Sequence, residues 1–469
     1  MSITLRQVKL EDNERLTDQQ ILEYIEDFQQ SDYEVIDNLE NYYLGENTTI
    51  EKRTDSYVYS DSGTPNNVIA VPYGRKIVNT VLGYAFKPGL ITYNSENIKY
   101  IEKLQDVNYW NIEAVETSQI ARDVSAYGVG YELHYIEDMG GRATPRFTRV
   151  SAKEIIPIWD YSIEPKLSCV IRFYSEVNNS DQTRQVIEVY YKDIIQTYIT
   201  DFMDTVGISS SNYSSMKLES EDKNMYNLIP FVVFRNNEEF IGDYEHILSL
   251  IDAYDNLTSD SMNEFERFAS AYLRLVGSDI DKKDLDKVKA KRIFMNLENK
   301  DAVTFLTKDI NTEYITFMSD LIRMEIHKQS NIPDMSDEKF AGNSSGVAIR
   351  FKLSDFENLI SQKEAYFKQG LFKRYLLVNS ILGIRDNERR ELRELEIKFQ
   401  RNIPANLQEI AEIALKSKGI LSDKTILKLY PSDWVHDIYQ ELEQIKEDNQ
   451  NMVDFDTMDM EENAETDGQ

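Results

Sequence analysis

The sequence contains one glycine-rich segment, AGNSSG, whose residue types suit the binding of a phosphate group. Gly342 and Gly346 enclose Asn343, Ser344 and Ser345. A nucleotide-binding loop of the pattern G-x-x-x-x-G-K-[ST] needs a lysine that contacts the phosphates, and none follows this glycine pair. The segment therefore does not predict hydrolysis of a nucleoside triphosphate. A helix capped by one of the three enclosed residues could still receive a phosphate on its free N–H groups, and an ordinary connection between helices is the alternative.

The other residue types that commonly carry chemistry lack catalytic or metal-binding spacing. The sequence has no G-x-S-x-G motif, and adjacent carboxylates such as Glu238–Glu239 and Glu461–Glu462 are expected in so acidic a chain. Cys169 predicts a small buried apolar side chain. Four histidines are scattered without ligand-like spacing, at His134, His246, His327 and His436. We therefore predict no enzyme activity, no metal and no cofactor.

The charge balance disfavours one class of DNA-binding protein. The 469 residues include 52 Lys and Arg against 82 Asp and Glu, a net charge of −30. Proteins that grip DNA neutralise phosphates with a basic surface, so a repressor-like or nuclease-like grip is disfavoured. Solubility through self-repulsion is the simplest interpretation of this charge, and mobility of DNA near an acidic surface is another. The single cysteine, and the lack of a signal-peptide-like or bilayer-length apolar run, predict a soluble cytoplasmic protein.

The hydrophobic pattern predicts an α+β protein of about two to four domains. A β-rich region is expected over 131–235, with a mobile loop at 207–227, and a further strand over 395–404. Short helices and an acidic tail follow. The longer helices are predicted over 1–45, from Tyr73 to the Lys87–Gly89 stop, and over 110–127, 243–275, 312–329 and 345–382.

The segment between the last two of these helices is the most informative part of the chain. Pro333 ends the first helix, because proline cannot continue it. Gly342 and Gly346 permit backbone angles that other residues rarely adopt. The sequence therefore predicts two long helices joined by a flexible polar loop.

This segment, PDMSDEKFAGNSSGVAIRFKL within 331–353, closely resembles a hallmark of the siphophage-type portal protein family, the head-to-tail connectors of tailed double-stranded DNA phages. The stretches at 66–93 and 399–427 resemble the early helix-then-strand element and the later strand with C-terminal helices of the same family. The three occur in the family's order and span most of the chain. The resemblance implies a non-enzymatic ring subunit, most often one of twelve, through which the genome is packaged and ejected.

The resemblance also implies a portal-protein fold with a helical and β-rich wing, a two-helix stem, a small α/β clip, a long kinked helix and a helical crown. Its parts are expected as a wing at 1–241 completed by 345–400, stem helices at 242–269 and 312–329, a clip at 270–311, a tunnel loop at 330–345, and a crown with an acidic tail at 401–469.

Functional residues are implied in two places. The tunnel loop would face DNA and turn at hinges, whereas the clip would bind protein partners through basic residues, for which a solvated helix face is the alternative. The DNA-facing residues would be Asp337, Lys339, Phe340, Asn343, Ser344 and Ser345, with hinges at Pro333, Gly342 and Gly346. The clip residues would be Lys282, Lys283, Lys287, Lys289, Lys291 and Arg292.

The implied partners are other copies of the chain, double-stranded DNA, the terminase motor, the head-completion adaptor, and capsid and scaffolding proteins, without a membrane. The implied location is the portal vertex of the virion, after assembly in the host cytoplasm. Because duplex DNA carries one negative charge per roughly 1.7 Å, an acidic channel lining would let it slide with little friction. An acidic intracellular hydrolase with an unrecognised site, or a scaffold or adaptor of lower symmetry, are the alternative hypotheses.

Overall fold

A computed structural model gives the architecture of most of the chain. It describes residues 3–11, 13–56, 66–177, 179, 181–201, 216–269, 272–275, 303–306, 312–334, 351–386, 392–402, 407–427, 430, 435 and 441–447. The chain forms two compact units, one with the described residues up to Arg401 and one with those from Asn402 onward.

The described part of the first unit contains nine α-helices. They are α1 (Asp18–Gln30), α2 (Asp32–Leu44), α3 (Thr48–Ser56), α4 (Tyr73–Val81), α5 (Ile98–Trp110), α6 (Glu113–Tyr127), α7 (Leu248–Ala269), α8 (Thr312–Gln329) and α9 (Ser354–Asp386). The second unit contains α10 (Leu407–Ser417) and α11 (Asp423–Leu427). None of the described helices has the length and apolar character needed to cross a bilayer.

Strands in the first unit form two larger sheets and two small ribbons. The strands are β1 (Arg6–Gln7), β2 (Ile91–Asn94), β3 (Val129–Asp138), β4 (Ala143–Val150), β5 (Ile155–Trp159), β6 (Leu167–Val177), β7 (Thr183–Tyr190), β8 (Ile194–Ile199), β9 (Lys217–Lys223), β10 (Phe231–Arg235), β11 (Tyr272–Leu275), β12 (Val303–Leu306) and β13 (Glu396–Phe399). The six-stranded sheet has the order β1-β5-β6-β7-β8-β9, and the three-stranded sheet has the order β10-β3-β4. β2 pairs with β13 and β11 pairs with β12, both antiparallel.

The register of the larger sheet places apolar side chains side by side. Ile156 of β5 is paired with Ile171 of β6, which is paired with Val189 of β7. All three are fully buried. β1 is parallel to β5, whereas the other neighbours in this sheet are antiparallel and follow one another along the chain. Such a meander forms from local connections, and its buried faces anchor the helices of the unit.

Local sequence signals explain where several helices begin and end. Thr17 caps α1 and Gln20 returns a side-chain hydrogen bond, so the two form a capping box. Gly45 ends α2 with φ of 90°. Gly128 ends α6 with φ of 80°, and a Cβ there would lie 2.0 Å from the Phe240 carbonyl oxygen. Only glycine permits this close approach of the backbone after α6 to the segment before α7.

The structure corrects four of the predicted elements and confirms a fifth. The helix predicted over 1–45 is divided into α1 and α2 and is preceded by the strand β1. The helix predicted over 110–127 is preceded by α5 and begins only at Glu113. The helix predicted to reach 275 ends at Ala269, and Tyr272–Leu275 is the strand β11, because it pairs with the distant β12. Part of the predicted loop at 207–227 is the strand β9, whose charged sequence KLESEDK carries no strand pattern and is held by pairing with β8. The predicted helix over 312–329 is confirmed as α8.

Candidate functional site

The helix α8 ends in a Schellman motif that directs the chain into the predicted tunnel loop. Asn331 adopts φ of 56°. Its N–H donates to the Lys328 carbonyl at 3.3 Å, and the N–H of Ile332 donates to the His327 carbonyl at 3.2 Å. Ile332 is buried, and Pro333 follows it and cannot extend the helix. The direction of the chain after α8 is therefore fixed by hydrogen bonds and packing.

A charged cluster holds the end of α8 against α4. The carbonyl of Ile332 accepts a hydrogen bond from His327 Nδ1 at 3.0 Å, since a carbonyl can only accept. Lys76 Nζ of α4 lies 3.3 Å from His327 Nε2 and 3.4 Å from Asp334 Oδ1. Burial lowers the pKa of His327, and the charges of Lys76 and Arg323 lower it further. The hydrogen bond to the Ile332 carbonyl and the charge of Asp334 raise this pKa but do not outweigh burial. His327 is therefore a neutral acceptor for Lys76 at neutral pH.

Three exposed apolar side chains form a stripe along α8. Phe317, Leu321 and Met324 recur at a spacing of four and three residues, so they share one side of the helix. Phe317 is 61% exposed and Met324 is 55% exposed. On α7, which packs against α8, Phe265 is also 64% exposed. Exposed apolar side chains grouped in this way are typical of a surface that another protein covers.

The long helix α9 is tied to the segment before α7 by a buried ion pair. Lys363 Nζ lies 2.7 Å and 2.6 Å from the two carboxylate oxygens of Asp243 and 2.6 Å from Asn236 Oδ1. Ser125 of α6 also donates to Asp243. Burial lowers the pKa of Lys363, and Asp243 opposes this shift. Lys363 thus links α6, α9 and the chain that leads into α7.

A second buried cation lies about three turns farther along α9. Arg374 is fully buried and donates to Glu132 of β3 from Nε at 3.0 Å and from Nη2 at 2.6 Å. Its Nη1 reaches Glu113 at 3.1 Å and Thr117 at 2.7 Å on α6. Burial raises the pKa of Glu132, but Arg374 and His134 outweigh burial and leave that pKa below its ordinary value. Arg374 therefore holds β3 and α6 together, and its contact with Glu132 favours the ionised form of that carboxylate.

These clusters bind parts of the protein to one another and present no reacting group to a substrate. Each cation is occupied by carboxylates of the same chain at hydrogen-bond distance. Within the described ranges, no group of His, Cys, Asp and Glu side chains could hold a metal ion. Burial raises the pKa of the Cys169 thiol to about 12, which makes it unreactive as a nucleophile.

The family model of the phage portal protein, SPP1 Gp6-like, matches residues 22–453. The chain belongs to this family. Two curated relatives are both called portal protein. That of Clostridium phage phiCD119 is 25% identical over 412 residues, which are 85% of this chain and 89% of the relative. That of Bacillus phage SPP1 is 22% identical over 427 residues, which are 87% of this chain and 82% of the relative.

Among solved structures, a chain of the neck of a native GTA particle computed with C12 symmetry is similar with a TM-score of 0.40 and 10% identity, over 76% of this chain and 89% of the other. The family assignment rests on the family model and the two phage relatives. The portal family is a structural one, and the predicted resemblance to it is confirmed.

The described structure contains one of the residues that the sequence analysis predicted to be functional. Pro333 lies directly after the Schellman motif of α8. The other nominated positions lie outside the described residues: Asp337, Lys339, Phe340, Gly342, Asn343, Ser344, Ser345 and Gly346 of the tunnel loop, and Lys282, Lys283, Lys287, Lys289, Lys291 and Arg292 of the clip. Their roles stay predictions.

The sequence reasoning missed the two buried cations of α9, although a signal for them exists. Lys363 and Arg374 occupy positions in the same three- and four-residue series as Phe356, Ile360 and Phe367, all of which are buried. A cation at a core position of an amphipathic helix must have a buried partner. The partners, however, lie more than a hundred residues away along the chain, so periodicity alone does not identify them.

Proposed function

We propose that this chain forms a homo-oligomeric ring, of twelve copies by the family's usual number, at the portal vertex of a phage capsid. The ring is the channel through which double-stranded DNA is packaged and later ejected. The observation that carries the proposal is the match of the portal family model to residues 22–453. Assembly takes place in the host cytoplasm, and the finished ring is part of the virion.

The exposed apolar stripe of α8 supports assembly into a ring. Phe317, Leu321 and Met324 form an apolar stripe that one protomer leaves in water, and Phe265 of the neighbouring helix α7 is exposed as well. Burying such side chains contributes about 1.5–3 kcal/mol each when they are fully covered. A neighbouring copy is the partner that a closed ring supplies, through a head-to-tail contact repeated around the axis.

The charge of the chain supports a conduit that does not hold DNA. With a net charge of −30, the assembled subunits repel phosphates more than they attract them. A lining rich in cations would release counterions and bind the duplex tightly, which would oppose its movement. In this proposal the tunnel loop at 330–345 touches the duplex briefly, and the energy for packaging comes from the terminase motor.

The remaining partners are assigned by the same proposal. The lysines and arginine within the clip at 270–311 dock acidic surfaces, first of the terminase and then of the head-completion adaptor. The wing at 1–241, completed by 345–400, faces the capsid and scaffolding proteins. The crown and acidic tail at 401–469 complete the subunit, with stem helices at 242–269 and 312–329.

The proposal is tested by the oligomeric state of the purified full-length chain. Negative-stain images and mass photometry should show a ring near twelve-fold. Replacing Leu321→Glu and Met324→Glu should abolish the ring, because it places two charges on the stripe, while circular dichroism stays unchanged. Thr316→Glu is the matched control, since Thr316 is exposed on another side of α8.

A monomer or dimer at all concentrations of the unmodified protein would contradict the proposal. It would favour a lower-symmetry adaptor. Turnover of a substrate by the purified protein would instead favour the hydrolase hypothesis. If the variant with both Leu321→Glu and Met324→Glu formed rings as well as Thr316→Glu does, the stripe would not be the subunit contact.

A further inference from the structure

An extended segment at 66–71 lies along α7 and is bound to it through a ladder of hydrogen bonds. In each rung, a side chain of the helix accepts from a backbone N–H of the segment. The donor–acceptor distances are 2.9, 3.0 and 2.6 Å, in the pairs Val71–Asp255, Ile69–Ser259 and Asn67–Asn263. The segment therefore runs antiparallel to the helix, and every second amide is bound.

The spacing of the acceptor residues along α7 nearly equals the spacing of alternate amides along the segment, so three rungs can form in succession. Residues four apart on a helix are separated by about 6 Å along its axis. Alternate residues of an extended chain are separated by about 6.6 Å. The difference is small over two intervals, so all three side chains reach their amides without distortion.

The ladder has one register in which all its rungs can form. The next positions in the four-residue series on α7 are Ile251 and Arg267, and neither side chain contains a hydrogen-bond acceptor. Sliding the segment by one helical turn in either direction would bring an amide opposite one of these residues. One rung would then be lost, and one buried acceptor would be left without its backbone donor.

The acceptors are buried and supported from the other side. Asp255 and Ser259 are each 1% exposed, and Asn263 is 8% exposed. The second carboxylate oxygen of Asp255 accepts from Asn47 Nδ2 at 2.9 Å. Because each acceptor is buried, leaving it without its donor costs more than the loss of a surface hydrogen bond would.

The same piece of chain also reaches α8. Val71 is followed by Pro72 and by α4, whose Lys76 contacts His327 and Asp334 at the end of α8. Residues 66–76 thus contact both helices of the pair, through the ladder on α7 and through Lys76 on α8. The last rung of the ladder, at Val71, and the contact at Lys76 are five residues apart, and most of these residues lie in the helix α4.

We propose that residues 66–76 form a clasp that sets the axial register of α7 and α8, with Asp255, Ser259 and Asn263 as its positioning residues. This inference rests on the proposed portal function, in which the two helices are the stem and the tunnel loop follows α8. A displacement of that loop by DNA is then passed to α4 through the clasp and is not lost by sliding between helices.

The clasp is tested by hydrogen–deuterium exchange of the assembled full-length protein, measured on peptides that cover 66–72. Ser259→Ala removes one rung, and the double variant Ser259→Ala/Asn263→Ala removes two. We expect exchange in this segment to rise about fivefold for each lost hydrogen bond. Ser261→Ala is the matched control, because Ser261 bonds only the Leu257 carbonyl of its own helix among the described contacts, at 2.7 Å.

The positioning role has a separate readout, which is the yield and DNA length of particles packaged with each variant. We expect both to fall for the double variant and to be unchanged for Ser261→Ala. Equal exchange in the double variant and the control would overturn the ladder, and faster exchange with normal packaging would overturn the positioning role. Failure of the unmodified protein to form a ring would overturn the proposed function but leave the exchange result valid.

Discussion

The middle of α9 and the exposed stripe of α8 differ in whether their side chains find partners within one protomer. Around α9, the buried cations Lys363 and Arg374 have carboxylate and polar partners within the same chain. On α8, the apolar side chains of Phe317 and Met324 are left in solvent. The first region is complete in one protomer, whereas the second becomes complete only when another surface covers it. This contrast distinguishes the frame of the subunit from the surface that we propose for assembly.

The largest effect is expected from breaking the frame at Arg374. Arg374→Met leaves Glu132 fully buried without its main cation, so we expect a loss of about 3–5 kcal/mol in the free energy of unfolding. Urea unfolding at a fixed protein concentration measures it, since assembly makes stability concentration-dependent.

The double variant Arg374→Met/Glu132→Gln supplies the control for this prediction. It removes the uncompensated carboxylate, so we expect it to recover a substantial part of the lost stability. An unfolding midpoint for Arg374→Met equal to that of the unmodified protein would show that the cation is dispensable to the frame.

A smaller effect is expected at the end of α8. Asn331 is exposed and adopts φ of 56°, so Asn331→Val places a β-branched residue in the left-handed region at a cost of about 1–2 kcal/mol. Thermal or urea unfolding measures this loss. Asn331→Gly is the control and should be as stable as the unmodified protein, because glycine adopts this conformation freely. Equal stability of the valine and glycine variants would mean that the Schellman motif does not fix the exit of α8.

The smallest effect is expected from the titration of His327. Its pKa is lowered in the folded state, chiefly by burial, and the charges facing it are Lys76, Arg323 and Asp334. Its contribution to stability is therefore complete above the ordinary histidine pKa, and is lost as the pH falls from that value through the lowered pKa.

Comparing the urea midpoints of His327→Gln and the unmodified protein between pH 7.5 and pH 5.5 isolates this contribution, because His134 titrates in both. We expect the unmodified protein to lose more stability on acidification than the variant. The opposite ranking would mean that the protonated form of His327 is the one that the cluster favours.

Local sequence signals were sufficient where a structure depends on neighbouring residues. The hydrophobic pattern predicted α8 over 312–329 with its observed ends, and the β-rich region expected over 131–235 contains most strands of the two larger sheets. The family hallmark at 331–353 predicted the portal family, which the family model confirms.

Other features depend on partners that are distant along the chain. β9 has a polar sequence and is a strand because β8 pairs with it. No single stretch of the sequence indicates the ladder on α7, because Ser259 and its partner Ile69 are 190 residues apart. Lys363 and Arg374 are recognisable as unusual within α9, but only the fold brings Asp243 and Glu132 to them. Sequence reasoning therefore found the elements and missed the contacts that join them.

The charges of the strand β9 oppose edge-to-edge pairing of two copies of the protein at high concentration. It is the outer strand of its sheet, and its described neighbour is β8 alone. If two copies met edge to edge in antiparallel fashion about Ser220, Lys217 would face Lys223, and Glu219 would face Glu221 of the other molecule. In a parallel in-register encounter, every charge would face its own kind. The strand thus discourages fibre-like stacking in both orientations, and it leaves the stripe of α8 as the more favourable place for copies to adhere.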